Sequence, residues 1–94
     1  MDEEDGWPEE IVHGRNALAR ELEQNVPDIK RAMQLASSLL KSLEDYRMRC
    51  DGEQLQKVHY AIDDLIDAHD CYAEKSEDEA RVYLRDAVDC LSSL

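Results

Sequence analysis

Phenylalanine is absent from this 94-residue chain, aromatic residues make up only 5% of it, and the one tryptophan is Trp7. A core without phenylalanine rings must come mainly from Leu, Ile, Val, Met and Ala, so a lone chain is expected to be only thinly stable. Glycine is scarce as well. The three glycines are isolated from one another, which leaves no glycine-rich loop to cradle a phosphate. Basic side chains number 11 against 23 acidic ones, for a net charge of −12. Such a surface repels phosphate instead of releasing its counterions, which disfavours direct nucleic-acid binding.

Long hydrophobic runs are missing too, and none approaches the roughly 20 residues that cross a bilayer. The opening stretch "MDEEDGWPEE" is the reverse of a basic, then apolar, secretory signal. A cytoplasmic protein without a membrane partner is expected. Cys50, Cys71 and Cys90 are odd in number and lack a paired short spacing, so neither a disulfide framework nor a zinc knuckle is indicated. Reduced thiols follow from that compartment.

What the chain does have is helical periodicity. Pro8, Pro27, the pair Asp51-Gly52 and the stretch "KSED" divide it into four segments, none of which alternates with the period of a strand. Helices are predicted over residues 8–24, 27–50, 53–74 and 77–93. Pro8 and Pro27 suit first helical positions, Ser76 with Glu79 has the spacing of a capping box, and Gly52 suits the left-handed residue that ends the second helix. Short joints make successive helices antiparallel neighbours. The fold class is therefore all-α: an antiparallel four-helix bundle in one domain spanning residues 1–94, with residues 1–7 as an acidic, flexible tip.

At 100° per residue the second segment gathers Ile29, Ala32, Met33, Leu35, Ala36, Leu39, Leu40, Leu43, Tyr46 and Cys50 on one broad face. The third gathers Leu55, Val58, Ala61, Ile62, Leu65, Ile66, His69, Tyr72 and Ala73, and the fourth Ala80, Tyr83, Leu84, Ala87, Val88, Cys90, Leu91 and Leu94. Only Ile11, Leu18 and Leu22 mark the first, where Gly14 costs about 1 kcal/mol relative to Ala. Three core helices and a more weakly packed N-terminal one are expected.

The chemistry-bearing residues crowd into "HYAIDDLIDAHDCYAE", residues 59 to 74. Asp63, Asp67, Asp70 and Glu74, with Asp64 next to them, lie beside the apolar face and not within it. His59 borders them one turn from Asp63, whereas His69 falls inside the apolar stripe. The two imidazoles cannot converge on one ion. A di-iron bundle needs inward glutamates and Glu-x-x-His pairs on facing helices, and neither His59 nor His69 follows a glutamate at that spacing. Cys71 lies among carboxylates that raise a thiol's pKa and blunt it as a nucleophile. No catalytic, metal-binding or cofactor-binding residue is assigned.

Charge is distributed unevenly. Residues 1–10 carry six acids and no base, residues 11–50 seven bases and five acids, and residues 51–94 twelve acids and four bases. Clustered like charges cost stability unless something else favours them, and a basic protein surface is one such thing. The leading expectation is a small acidic binding protein that docks on a basic protein partner and inhibits or regulates it. Antitoxins, immunity proteins and phage inhibitors are analogues by size and charge only. The expected partner-binding residues are Asp63, Asp64, Asp67, Asp70 and Glu74; Trp7, one turn before Ile11, is expected to pack over the start of the first helix, with a partner-docking aromatic element as its alternative reading. Two alternatives stand beside it. One is a structural module that forms a homodimer or joins a larger complex, with a seam of Tyr46, Met33, Leu40 and Met48. The other is a metal-dependent enzyme or sensor.

Overall fold

A computed structural model of the chain describes residues 7–26 and 28–92. They form four helices, α1 (Glu9–Leu22), α2 (Ile29–Tyr46), α3 (Gly52–Ala73) and α4 (Glu77–Leu91), and no strand among the described residues. Most of the predicted acidic tip, together with Pro27 and Leu94, lies outside them. No helix among the described residues is long and apolar enough to cross a membrane.

The helix ends differ from the predicted ones for local reasons. Pro8 is the N-cap of α1 and not its first residue, and its carbonyl accepts from the N–H groups of Ile11 and Val12 at 3.1 and 3.0 Å. α2 starts two residues late because the Asp28 carboxylate caps it, accepting from the Arg31 N–H at 3.2 Å. It also stops early, at Tyr46, where the chain tightens into bonds from Met48 N–H to the Asp45 carbonyl and from Arg49 N–H to the Tyr46 carbonyl. Gly52 does adopt a positive φ of 66°, but it opens α3 instead of ending α2. The capping box of Ser76 and Glu79 does not form. The Ser76 N–H donates instead to the Cys71 carbonyl at 2.8 Å, and the Lys75 N–H to the Tyr72 carbonyl at 2.9 Å. Those two bonds are a Schellman closure of α3, with Lys75 at the left-handed position, φ 65°.

Short joints turn each helix back on the last, and α4 returns beside α1. The α1–α4 seam is closed by two reciprocal contacts. Arg15 Nη1 of α1 donates to the Leu91 carbonyl at the end of α4 at 3.0 Å, and Arg85 Nη2 of α4 donates to the Leu22 carbonyl at the end of α1 at 3.4 Å. Each guanidinium thereby meets free carbonyls at the negative end of a neighbouring helix, and the pairing places α1 and α4 antiparallel. At the α1–α2 turn the buried carboxylate of Glu21 is held on both oxygens. One lies 3.3 Å from Arg31 Nε and the other accepts from the Asp28 N–H at 3.2 Å. A buried carboxylate needs that satisfaction, and here it fixes the angle between two helices.

The core is aliphatic, as the missing phenylalanine requires. α1 buries three apolar residues, Ile11, Leu18 and Leu22, whereas α2, α3 and α4 bury five each. The N-terminal helix thus has the narrowest stripe of the four. It lies close to α2 at Gly14, where an added Cβ would sit 3.0 Å from Leu39 Cδ1. α3 packs most extensively on α4, and the two helices fully bury Ala61, Ala68, Ala80 and Ala87. The buried face of α3 is rotated from its predicted orientation. Ala68, which the prediction left out, is in the core, His69 is half-buried, Ala73 is exposed, and Ile66 is 42% exposed. Small buried side chains of this kind let neighbouring helices approach closely.

Trp7 takes the packed one of its two readings and not that of the exposed docking element. Its ring is wholly buried, edge-on to Tyr46 with centroids 6.2 Å apart, so it offers no surface to a partner in this structure. Among the described residues its Nε1–H has no acceptor, a loss of about 1–3 kcal/mol for a buried donor. The proposed dimer seam is likewise not a continuous surface. Met33 is 5% exposed and Tyr46 is half-buried beside Trp7, which leaves Met48, 78% exposed, as the fully open member.

Lys75 allows a direct check of the α3 ending. Replacing a side-chain-bearing residue in the left-handed region by glycine removes a clash with its own backbone, partly offset by the entropy glycine loses on folding. Lys75→Gly is expected to raise unfolding free energy by about 0.5–1 kcal/mol in urea titration, with the slope unchanged. A loss of stability would show that the Schellman closure is not formed.

Candidate functional site

The candidate site is the outer edge of the α3–α4 hairpin. On α3 the side chains of Asp63, Asp67, Asp70 and Glu74 are exposed, and Asp64 is half-buried on the side that faces α4. Among the described residues none of the five has an ion-pair partner, because the basic groups that pair do so elsewhere. Arg31 holds Glu21, Arg49 holds Glu10 and Asp45, and Arg81 holds Asp78.

The structure adds residues from α4 that the single-helix view missed. Burial and the neighbouring carboxylates of Asp86, Asp67 and Asp63 push Asp64 up to about 6. Asp86 thus acts across the seam on α3. The Asp67 carboxylate, followed by the Cys71 thiol, burial and then Glu79 and Asp64, pushes the Tyr83 hydroxyl upward. Glu79 Oε1 accepts from the Cys71 thiol at 3.9 Å. Asp64, Asp67 and Cys71 of α3 therefore meet Glu79, Tyr83 and Asp86 of α4 along one acidic edge. Positions 79, 83 and 86 recur at helical spacing in the sequence, but nothing in that spacing says which neighbour they face.

The same edge sets the thiol chemistry. Burial, then Glu79, Glu74, Asp67 and Asp70, push the Cys71 thiol above its ordinary value, so it is held protonated and is a poor nucleophile. Cys90 is also raised, by burial first, with Lys57 opposing and Asp64 reinforcing, and its Sγ–H donates to the Lys57 carbonyl at 3.3 Å. All three cysteines are free thiols.

The histidines do not join the acids. His69 Nε2 lies 3.3 Å from Ser37 Oγ of α2, so it is a hydrogen-bonded residue at the α2–α3 border. His59 is exposed. One Glu-x-x-His spacing does occur, from Glu10 to His13 on α1, but it faces water. His13 is 72% exposed with Nε2 3.8 Å from Glu9, and Glu10 is taken by Arg49. Among the described residues no group of three His, Cys, Asp or Glu side chains is placed to hold a metal ion.

Comparison with protein-family models, with curated proteins and with solved structures finds no match for this chain.

What this edge can do chemically is attract cations and store repulsion. Asp64 makes the stored part measurable. Its folded pKa of about 6 lies above the ordinary aspartate value of 3.8, so the fold binds a proton more tightly than the unfolded chain does. The stability this gives is fully present below pH ~4 and is lost as pH rises through about 6. Asp64→Asn, a mimic of the protonated state, is expected to stabilise the protein at pH 7.5 by about 1 kcal/mol, a figure discounted for solvent screening at a half-exposed site. At pH 3.5 the variant and the parent should melt together. Equal differences in melting temperature at the two pH values would show that the neighbouring carboxylates do not act on Asp64.

Proposed function

We propose that this chain is a non-enzymatic, cytoplasmic binding protein that docks its α3–α4 acidic edge on a basic protein surface and inhibits or regulates the protein that bears it. The observation that carries the reading is the set of five α3 carboxylates without ion-pair partners among the described residues, with Asp86 adding to the repulsion at Asp64. Like charges held together by a fold lose free energy that a basic surface returns on contact. The same field works against phosphate, so direct nucleic-acid binding and attachment to an anionic membrane are not part of the proposal. Asp63, Asp67, Asp70 and Glu74 are its exposed contacts, and Asp64 senses the partner through its proton.

A charge-matched pair of variants tests the assignment against a panel of purified basic proteins. The first carries Asp63→Asn, Asp67→Asn, Asp70→Asn and Glu74→Gln. The second carries Glu23→Gln, Glu44→Gln, Asp51→Asn and Glu53→Gln and has the same net charge. Parent binding should weaken steeply between 50 and 300 mM salt, and the first variant should lose about tenfold more affinity than the second. Equal losses in both variants would assign binding to net charge alone. Salt-insensitive binding would remove the electrostatic mechanism.

A further inference from the structure

Trp7 is the sharpest anomaly in the bundle. It precedes α1, which begins at Glu9, yet its ring is wholly buried, and among the described residues its Nε1 is the one buried side-chain nitrogen or oxygen without a hydrogen-bond partner. Nearly all such groups in folded proteins are satisfied, so an orphan needs a physical account.

The ring's surroundings supply one. Trp7 rests edge-on against Tyr46 at 6.2 Å, and the outer side of that contact is fastened by Arg49, whose guanidinium stands 5.7 Å from the Tyr46 ring centroid. Arg49 also reaches Glu10 in the first turn of α1 at 3.3 Å, with the two side chains 57% and 50% exposed. A clasp that open to water is weak. The backbone beside the ring is tied at Pro8, whose carbonyl accepts from the Ile11 and Val12 N–H groups, but Pro8 has no N–H to give and the N-cap of α1 makes no side-chain hydrogen bond. Apart from the Arg49 clasp the indole itself is held by apolar burial, and among the described residues its N–H has no partner.

We propose that Trp7 is a releasable anchor. The end of the bundle that it seals opens locally, lifting the indole off Tyr46 and parting Arg49 from Glu10, while α2, α3 and α4 stay folded. Opening breaks no hydrogen bond of the indole. It exposes at once an aromatic ring flanked by Glu9 and Glu10 and the seat at Tyr46 that the ring had covered. The device is independent of docking by the α3–α4 edge, because it uses the opposite hairpin and different residues.

A single tryptophan gives a single indole N–H resonance, so native-state hydrogen exchange on the full chain tests the proposal directly. The indole protection factor is expected to be at least about 100-fold below those of the amides of Leu39 and Leu65, with almost no dependence on low urea concentrations, as for local opening. Arg49→Gln should lower indole protection by about a further threefold, and Arg47→Gln, a change at a neighbouring exposed arginine, should leave it unchanged. Acrylamide quenching of the tryptophan fluorescence in the same samples should rise with Arg49→Gln alone. Indole protection equal to that of the Leu39 and Leu65 amides, with the same urea slope and no response to Arg49→Gln, would overturn the proposal.

Discussion

The seam between α3 and α4 is where the fold is both most needed and most opposed. The two helices fully bury Ala61, Leu65, Ala68, Ala80, Leu84 and Ala87. On their outer side burial, then Asp86, Asp67 and Asp63, raise Asp64, while Asp67 and Glu79 act on Tyr83. Dispersion and the removal of apolar surface from water hold together two helices whose edges repel.

The rest of the bundle serves this hairpin. The Arg15 and Arg85 contacts with opposing helix ends attach α1 to α4, and the Glu21 clamp sets α1 against α2. Most arginines with identified partners are thereby engaged in holding elements together, which is why so few cations are left to neutralise α3. Architecture and surface charge are linked through this allocation. A bundle that spent its arginines on the acidic edge would screen that edge and loosen its own first helix.

Much of this was legible in the chain. Period, prolines and short joints gave four helices and their order, and the stripe of Ile11, Leu18 and Leu22 is the apolar face that α1 buries, although α1 packs on α2 no more weakly than α3 does. Helical phase also set Asp63, Asp67, Asp70 and Glu74 toward water. Local signals misled where a tertiary contact competed for the same group. Ser76 and Glu79 have capping-box spacing, yet the Ser76 N–H closes α3 and Glu79 accepts from Cys71. Ala68 and His69 are adjacent, and hydropathy cannot tell which of two neighbouring phases a helix buries when alanine sits at one and histidine at the other. Trp7 stands one turn before Ile11, which pointed to packing at the start of α1, while its run of acids resembled a surface motif; its contact with Tyr46 decides for the core.

The amino-acid sequence by itself determined the helix count, the absence of large rings from most of the core, and the concentration of negative charge in residues 51–94, because periodicity and charge are properties of one chain read in order. Tertiary structure alone decided that Asp86 and Glu79 complete the α3 edge, that His69 meets Ser37, and that the Trp7 N–H is sealed without a partner among the described residues. Those facts depend on the rotation of one helix against another. Rotation is set by how closely side chains from different segments can pack, and no single segment carries that information.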